Sequence, residues 1–289
     1  HSVQSLFKSL YYDMRSRLVQ TAKTNHLGGT DIESVRYNYD GQPASRLISH
    51  TASFGRPVKE LYRYSYDQAG RVLSVSHSIN DRPAIMLHGK SYDAAGRLSG
   101  DSRNGVSGET YSYNVRSWMT KLSSNNFSLR LFYDNPYYAD CPSYNGNISG
   151  IEWSVGGLTR AYSFGYDGLS RLTSANYYEN MERNINYDTS YRYDAAGNVI
   201  SFTRNSSASR RDDKRMDDVV CVYDNSRLVE SYDNVADVYK NGIFGFTDRF
   251  DTKGFDEDDY AYDANGNMTK DSNKEITGIS YNHIDRQEN

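Results

Sequence analysis

Apolar and polar positions alternate along short stretches of this chain, and the stretches break at one recurring corner. In Tyr191-Arg192-Tyr193-Asp194-Ala195-Ala196-Gly197-Asn198-Val199, two tyrosines flank a polar residue, an aspartate follows, and a glycine precedes one polar and one apolar position. Side chains two apart share one face of an extended strand, and tyrosine favours that conformation. The aspartate suits the first position of a type I turn, where its carboxylate accepts a backbone N–H two residues on. The glycine takes the left-handed conformation that sends the chain back. The pattern predicts one β-hairpin.

Copies of that hairpin run through the sequence. Clear ones carry Tyr66, Asp67 and Gly70; Tyr92, Asp93 and Gly96; Tyr193, Asp194 and Gly197; and Tyr262, Asp263 and Gly266. Looser ones are anchored at Tyr12-Asp13, with Ser16 where the glycine belongs, and at Tyr39-Asp40, followed by Gly41-Gln42-Pro43. Others sit at Tyr113-Asn114, Tyr133-Asp134, Tyr166-Asp167 and Tyr223-Asp224. A lone hairpin is marginal in water, so the copies are expected to pair side by side.

The fold class is therefore all-β: consecutive antiparallel β-hairpins forming one long curved sheet. Facing tyrosines are expected to stack in ladders, each pair worth roughly 0.2–1 kcal/mol. The array is placed at 1–283, with about ten hairpin units, and 284–289 as a divergent tail. Two insertions, near 205–218 and 244–259, are charged and lack apolar periodicity, so they read as surface loops.

Composition adjusts this picture in three places. The net charge is only −4, and 27 tyrosines among 289 residues supply apolar surface; each buries roughly 150–250 Å² when packed. Basic residues are scattered, which argues against a nucleic-acid partner, and no apolar run reaches the ~18 residues that suggest a membrane span. The chain starts at His1, and residues 2–10 lack a basic start and an apolar centre, so it reads as a fragment whose original start, with any export signal, is missing. Cys141 and Cys221 show no metal or redox spacing and are read as unpaired thiols, with a disulfide between them as the alternative.

Candidate chemistry is sparse. No two of the six histidines come within five residues of each other, and no paired-cysteine metal spacing occurs. Asp263-Ala264-Asn265-Gly266-Asn267 resembles part of a calcium loop, but alanine stands at 261 where an acid is needed. Nucleophile-elbow, phosphate-loop and dinucleotide patterns are missing too. The repeated aspartates each have a turn to make, whereas catalytic acids would be singular. The reading is non-enzymatic: no catalytic residue, no metal and no cofactor.

With its copies of Tyr-Asp-x-x-Gly-[Arg/Asn]-apolar, the chain resembles the YD-repeat or Rhs (rearrangement hotspot) family of bacterial proteins, in particular those of Bacteroides-like bacteria. The match runs from Tyr11 to about Asn282. The resemblance implies a ribbon of hairpins that spirals into a hollow shell around a variable C-terminal segment. That segment is often a toxin, delivered to competing cells or hosts. Related repeats occur in insecticidal toxin-complex subunits, wall-associated proteins and animal teneurins. The implied partners are the protein's own C-terminal effector, absent from this chain, and secretion machinery; the implied location is secreted or cell-surface. The family's D-P-x-G cleavage core has no counterpart here, since none of the five prolines follows an aspartate, so no cleavage residue carries over.

Two other readings compete. Aromatic repeats of about 20 residues also build adhesion modules, whose partner would be a glycan or cell wall; those usually need exposed tryptophans, and only Trp118 and Trp153 are present. A propeller hydrolase needs four strands per blade and a period nearer 40–50 residues.

Overall fold

The computed structural model describes residues 6–104, 106–135, 138, 142–236, 245–246 and 258–287. Among them there is no α-helix; nineteen of the twenty-one strands belong to one antiparallel sheet and the last two form a hairpin of their own. The expected all-β meander of hairpins is what forms. By internal contacts the chain divides into two compact units, 1–128 and 129–289.

The first unit holds β1 (Lys8–Tyr12), β2 (Leu18–Thr24), β3 (Thr30–Tyr37), β4 (Pro43–His50), β5 (Val58–Tyr66), β6 (Val72–Ile79), β7 (Ile85–Tyr92), β8 (Leu98–Arg103), β9 (Val106–Tyr113) and β10 (Met119–Ser123). Each pairs antiparallel with the next. β11 (Phe127–Phe132) carries the chain onward.

In the second unit come β12 (Gly150–Val155), β13 (Leu158–Tyr166), β14 (Leu172–Glu179), the two-residue β15 (Glu182–Arg183), β16 (Thr189–Tyr193), β17 (Val199–Asn205), β18 (Arg215–Asp224) and β19 (Arg227–Asp233). β14 pairs with both β15 and β16, and the other neighbours pair in turn. β20 (Tyr260–Tyr262) and β21 (Met268–Asp271) form the separate hairpin.

Two kinds of turn recur in these hairpins. At Asn80-Asp81, Gly156-Gly157 and Asn180-Met181 both corner residues have positive φ, the type I′ geometry that matches strand twist. The other kind follows the tyrosine that ends a strand, and there the register slips by one. Ser65 pairs with Ser74 but Tyr66 pairs with Val72, leaving Leu73 unmatched. The same slip occurs beside Tyr37, Tyr92, Tyr166, Tyr193 and Tyr262. It is the bulge expected of a three-residue turn ending in a left-handed residue.

Three segments differ from the sequence expectation. The 205–218 insertion is shorter than its charge suggests, because β18 starts at Arg215 and Met216 and Asp217 are buried. Asp217 is tolerated inside because the Arg204 Nε donates to it at 2.6 Å. Of 244–259 only four residues are described: the Phe246 N–H donates to Asp217 at 2.6 Å, and Asp259 is buried, accepting the Ser231 N–H at 2.9 Å. The tail does not lose the pattern at 284, since Asn282 to Arg286 closes one more turn, with the Asn282 N–H donating to the Arg286 carbonyl and Asp285 at φ 55°.

Cys141 lies outside the described residues. Cys221 is a half-buried free thiol on β18 whose pKa is pushed up by burial. Among the described residues, no helix is long and apolar enough to cross a membrane.

Candidate functional site

The repeated turn is the feature around which named side chains converge, and Asp67 shows its construction. The Asp67 N–H donates to the Arg71 carbonyl and the Gly70 N–H to the Asp67 carbonyl, both at 3.0 Å. One carboxylate oxygen accepts the N–H groups of Ala69 and Arg71, each at 2.9 Å; the other accepts the Arg71 Nε at 2.6 Å. Gly70 has φ 79°, a conformation costly for a residue with a Cβ. The backbone N–H of Arg71, then its side chain, holds the Asp67 carboxyl below the usual carboxylate range against the opposing effect of desolvation.

Asp13, Asp93 and Asp167 make the same clamp with Arg17, Arg97 and Arg171, and their carboxyls are lowered first by the arginine's backbone N–H. At Asp194 and Asp263 the partner is the side chain of Asn198 or Asn267, which is the largest cause of their lowering. Asn114 substitutes neatly, its side-chain oxygen accepting the N–H groups of Arg116 and Trp118.

What joins one turn to the next was not read from the sequence. The signature tyrosine donates its hydroxyl to the carbonyl of an apolar residue at or just beside the start of a preceding strand. Tyr66 reaches Pro43 at 2.8 Å, Tyr92 reaches Val72 at 3.1 Å, Tyr113 reaches Leu98 at 2.9 Å and Tyr166 reaches Ile148 at 2.8 Å. Tyr193 to Leu172, Tyr223 to Val199 and Tyr262 to Leu228 repeat it at 2.8, 3.2 and 3.1 Å.

The clamping arginine completes the link. Having bound its own aspartate, its guanidinium lies over the next signature tyrosine: Arg71 over Tyr92 at 4.4 Å, Arg97 over Tyr113 and Arg171 over Tyr193, both at 4.7 Å. Arg97 and Arg171 also donate to the next turn's Asn114 and Asp194 carbonyls at 2.9 Å. The expected tyrosine ladder is thus interleaved with cations: no signature tyrosine from Tyr66 to Tyr113, nor Tyr166, Tyr193, Tyr223 or Tyr262, makes a ring–ring contact among the described residues. A desolvated guanidinium over a ring is worth about 0.5–2 kcal/mol, comparable to the stack it replaces.

Several signature residues are placed differently from the expected frame. In the second unit of the repeat the roles of tyrosine and aspartate fall to Tyr37 and Asn38, not Tyr39 and Asp40. The Asn38 N–H bonds the Gln42 carbonyl at 2.8 Å and the Tyr37 hydroxyl donates to Leu18 at 2.9 Å, while Tyr39 is exposed inside the turn. Counting three residues back from Gly41 would have found this frame. Asp224 and Arg227 face each other across a two-residue corner with Asn225 at φ 54°, so no clamp forms there. Tyr133 is buried, and Asp134 precedes residues outside those described. Tyr12 ends β1 and Asp13 opens its turn, with Ser16 at φ 58°. Tyr281, outside the expected signature set, donates to the Met268 carbonyl at 2.9 Å and belongs to the series.

Chemically this arrangement binds strands to one another. Among the described residues no three metal-ligating side chains converge on one point.

Three of the solved structures that align with the chain illustrate the likeness. A chain of the TcdB2-TccC3-Cdc42 crystal structure is 14% identical at a TM-score of 0.28, over 78% of this chain and 17% of that one. For TcdB2-TccC3-TEV the values are 13%, 0.25, 78% and 16%. A porin-like protein from Bacteroides uniformis ATCC 8492 is 12% identical at 0.22, over 79% of this chain and 92% of that one. The chain thus spans 17% and 16% of the first two. No protein-family model and no curated protein matches. At such low scores the fold rests on its own strand pairing.

Proposed function

We propose that this chain is wall: a non-enzymatic structural segment of an Rhs-type YD-repeat shell, secreted or displayed at the cell surface, enclosing an effector carried C-terminal to it. The observation that carries this reading is the directional link between turns. Turn after turn offers a carbonyl to the next tyrosine, and the turns that carry arginine add a guanidinium over its ring, a device for adding hairpins in one direction without limit. The residues that recur are spent on that link: the aspartate on its turn and arginine, the tyrosine on a carbonyl. None is left over as a periodic binding group, which disfavours the adhesion alternative.

The test is to express the full reading frame and follow protease digestion of whatever lies C-terminal to the repeats. The expected result is protection of that segment, abolished by Tyr92→Ala together with Tyr193→Ala, which removes one link in each unit. Cleavage at the rate of the isolated segment would overturn the proposal, as would saturable binding of the chain to cell-wall glycan.

A further inference from the structure

β1 displays the receiving half of the inter-turn link with no occupant among the described residues. All five of its residues are exposed, and its only strand partner among the described residues is β2. Tyr12 is 58% exposed, whereas Tyr37, Tyr66, Tyr92, Tyr113, Tyr166, Tyr193, Tyr223, Tyr262 and Tyr281 are all half-buried. Those nine each donate to a carbonyl. The Tyr12 hydroxyl has no partner and no guanidinium covers its ring among the described residues.

The turn beyond Tyr12 is complete. Asp13 accepts the N–H groups of Arg15 and Arg17 at 2.8 and 3.0 Å and the Arg17 Nε at 2.8 Å, and Arg17 covers Tyr37 at 4.6 Å. What is unfilled lies only on the edge away from β2. Leu6, Phe7, Leu10 and Tyr11 are exposed beside it, and such an edge is a template for another strand.

We propose that the free edge of β1 is a docking site for a strand of stated chemistry: the returning strand of an Asp-x-x-Gly-Arg-apolar turn. Its backbone pairs antiparallel with β1, the carbonyl of its apolar residue accepts the Tyr12 hydroxyl, and its arginine covers the Tyr12 ring. All nine filled sites specify the carbonyl, and five of them, at Tyr37, Tyr92, Tyr113, Tyr193 and Tyr262, also specify the arginine that lies over the ring. A strand of arbitrary sequence supplies the backbone bonds alone, and leaves both the hydroxyl and the ring face unmatched.

The probe is a labelled peptide copying residues 67–79, which holds the turn and returning strand of the Asp67 unit, titrated into the whole chain. Saturable binding is expected, with amide-exchange protection at residues 7–12. Tyr12→Phe on the chain should weaken it about 5-fold through the lost hydroxyl bond. Arg71→Ala in the peptide should weaken it about 3-fold or more through the lost guanidinium contact. Tyr12 is exposed, so Tyr12→Phe leaves the fold intact, which circular dichroism verifies. The proposal is overturned if the peptide fails to bind, if a scrambled peptide of equal composition binds as well, if both substitutions leave affinity unchanged, or if protection appears away from β1. These readouts are separate from protease protection of a C-terminal segment, so either proposal can fail alone.

Discussion

The units 1–128 and 129–289 are made from the same hairpin yet bury different things. Every buried apolar side chain among the described residues (Tyr133, Ala161, Ala175, Tyr177, Met216, Val219, Val235 and Tyr260) lies in the second. There Tyr162 contacts the rings of Trp153, Phe164 and Tyr177, and Tyr177 meets Tyr187 edge-on at 5.0 Å. In the first unit the buried residues among those described are Asn25 and Ser78, and the strands are tied by polar cross-strand pairs. The Arg46 Nε lies 2.7 Å from Glu33, His50 bonds Asp31 at 2.5 Å, and Tyr62 donates to Glu60 at 2.9 Å while stacking on His77. The lesson is that the turn and its link fix connectivity by themselves. They leave the sheet face free to be a polar ladder or an aromatic core.

The largest effect expected from that difference is at Tyr177, 2% exposed. Tyr177→Ala should cost the second unit about 3–5 kcal/mol, the range for removing a large buried ring. Tyr62→Ala, at the corresponding polar ladder, should cost the first unit about 1 kcal/mol. Denaturant unfolding followed by amide exchange in each unit checks both, and equal losses would erase the distinction. Next comes Arg204→Met, which strands the fully buried Asp217 carboxylate and should cost about 3 kcal/mol. A neutral result would mean that Asp217 is satisfied without Arg204.

How far this was legible from sequence follows from the reach of each interaction. The turn was readable because its chemistry closes within a few residues: the aspartate and the left-handed glycine are near neighbours. The link was not, because it joins Tyr37 to Leu18 and Tyr262 to Leu228 across 19 and 34 residues, and nothing local marks a carbonyl as an acceptor. The arginine's role across repeats was equally hidden, because its second contact lies in another repeat. Asp217 looked like loop for the same reason, its partner Arg204 being 13 residues away. The polar and aromatic faces were harder still, since alternation gives a face but not what covers it.

Acid should separate the units next. Asp13, Asp67 and Asp93 in the first unit are lowered by their arginines, and Asp31 is lowered first by the Asn25 side chain, with His50 contributing. Because their folded values lie below their unfolded ones, their contribution is complete above the usual carboxylate range near pH 4 and is lost as pH falls through the lowered values. The second unit loses the same contribution at Asp167, Asp194, Asp263 and Asp213, the last lowered to about 2 chiefly by the Arg211 side chain, but keeps its aromatic core. Amide exchange stepped downward from pH 5 should open the first unit first, and the reverse order would contradict the comparison. At neutral pH, Tyr92→Phe and Tyr193→Phe should each cost about 1 kcal/mol, one lost hydroxyl bond apiece, alike in both units because the link is common to them.

The smallest effect turns on serine at the left-handed position. Ser16 in the first unit and Ser170 in the second sit at φ 58° and 63°, a conformation that costs a residue with a Cβ about 1–2 kcal/mol relative to glycine. Ser16 makes no side-chain hydrogen bond among the described residues, so Ser16→Gly should stabilise the first unit by about 0.5–1 kcal/mol once glycine's larger unfolded freedom is deducted. Ser170 accepts the Asn145 side-chain amide at 2.8 Å, a bond worth about 1 kcal/mol. Ser170→Gly should therefore be near neutral, the relieved strain offset by the lost bond. Thermal unfolding of the two variants measures the difference directly. Equal gains would show that the Asn145 contact adds nothing, and a loss at Ser16→Gly would show that the first turn depends on more than its left-handed corner.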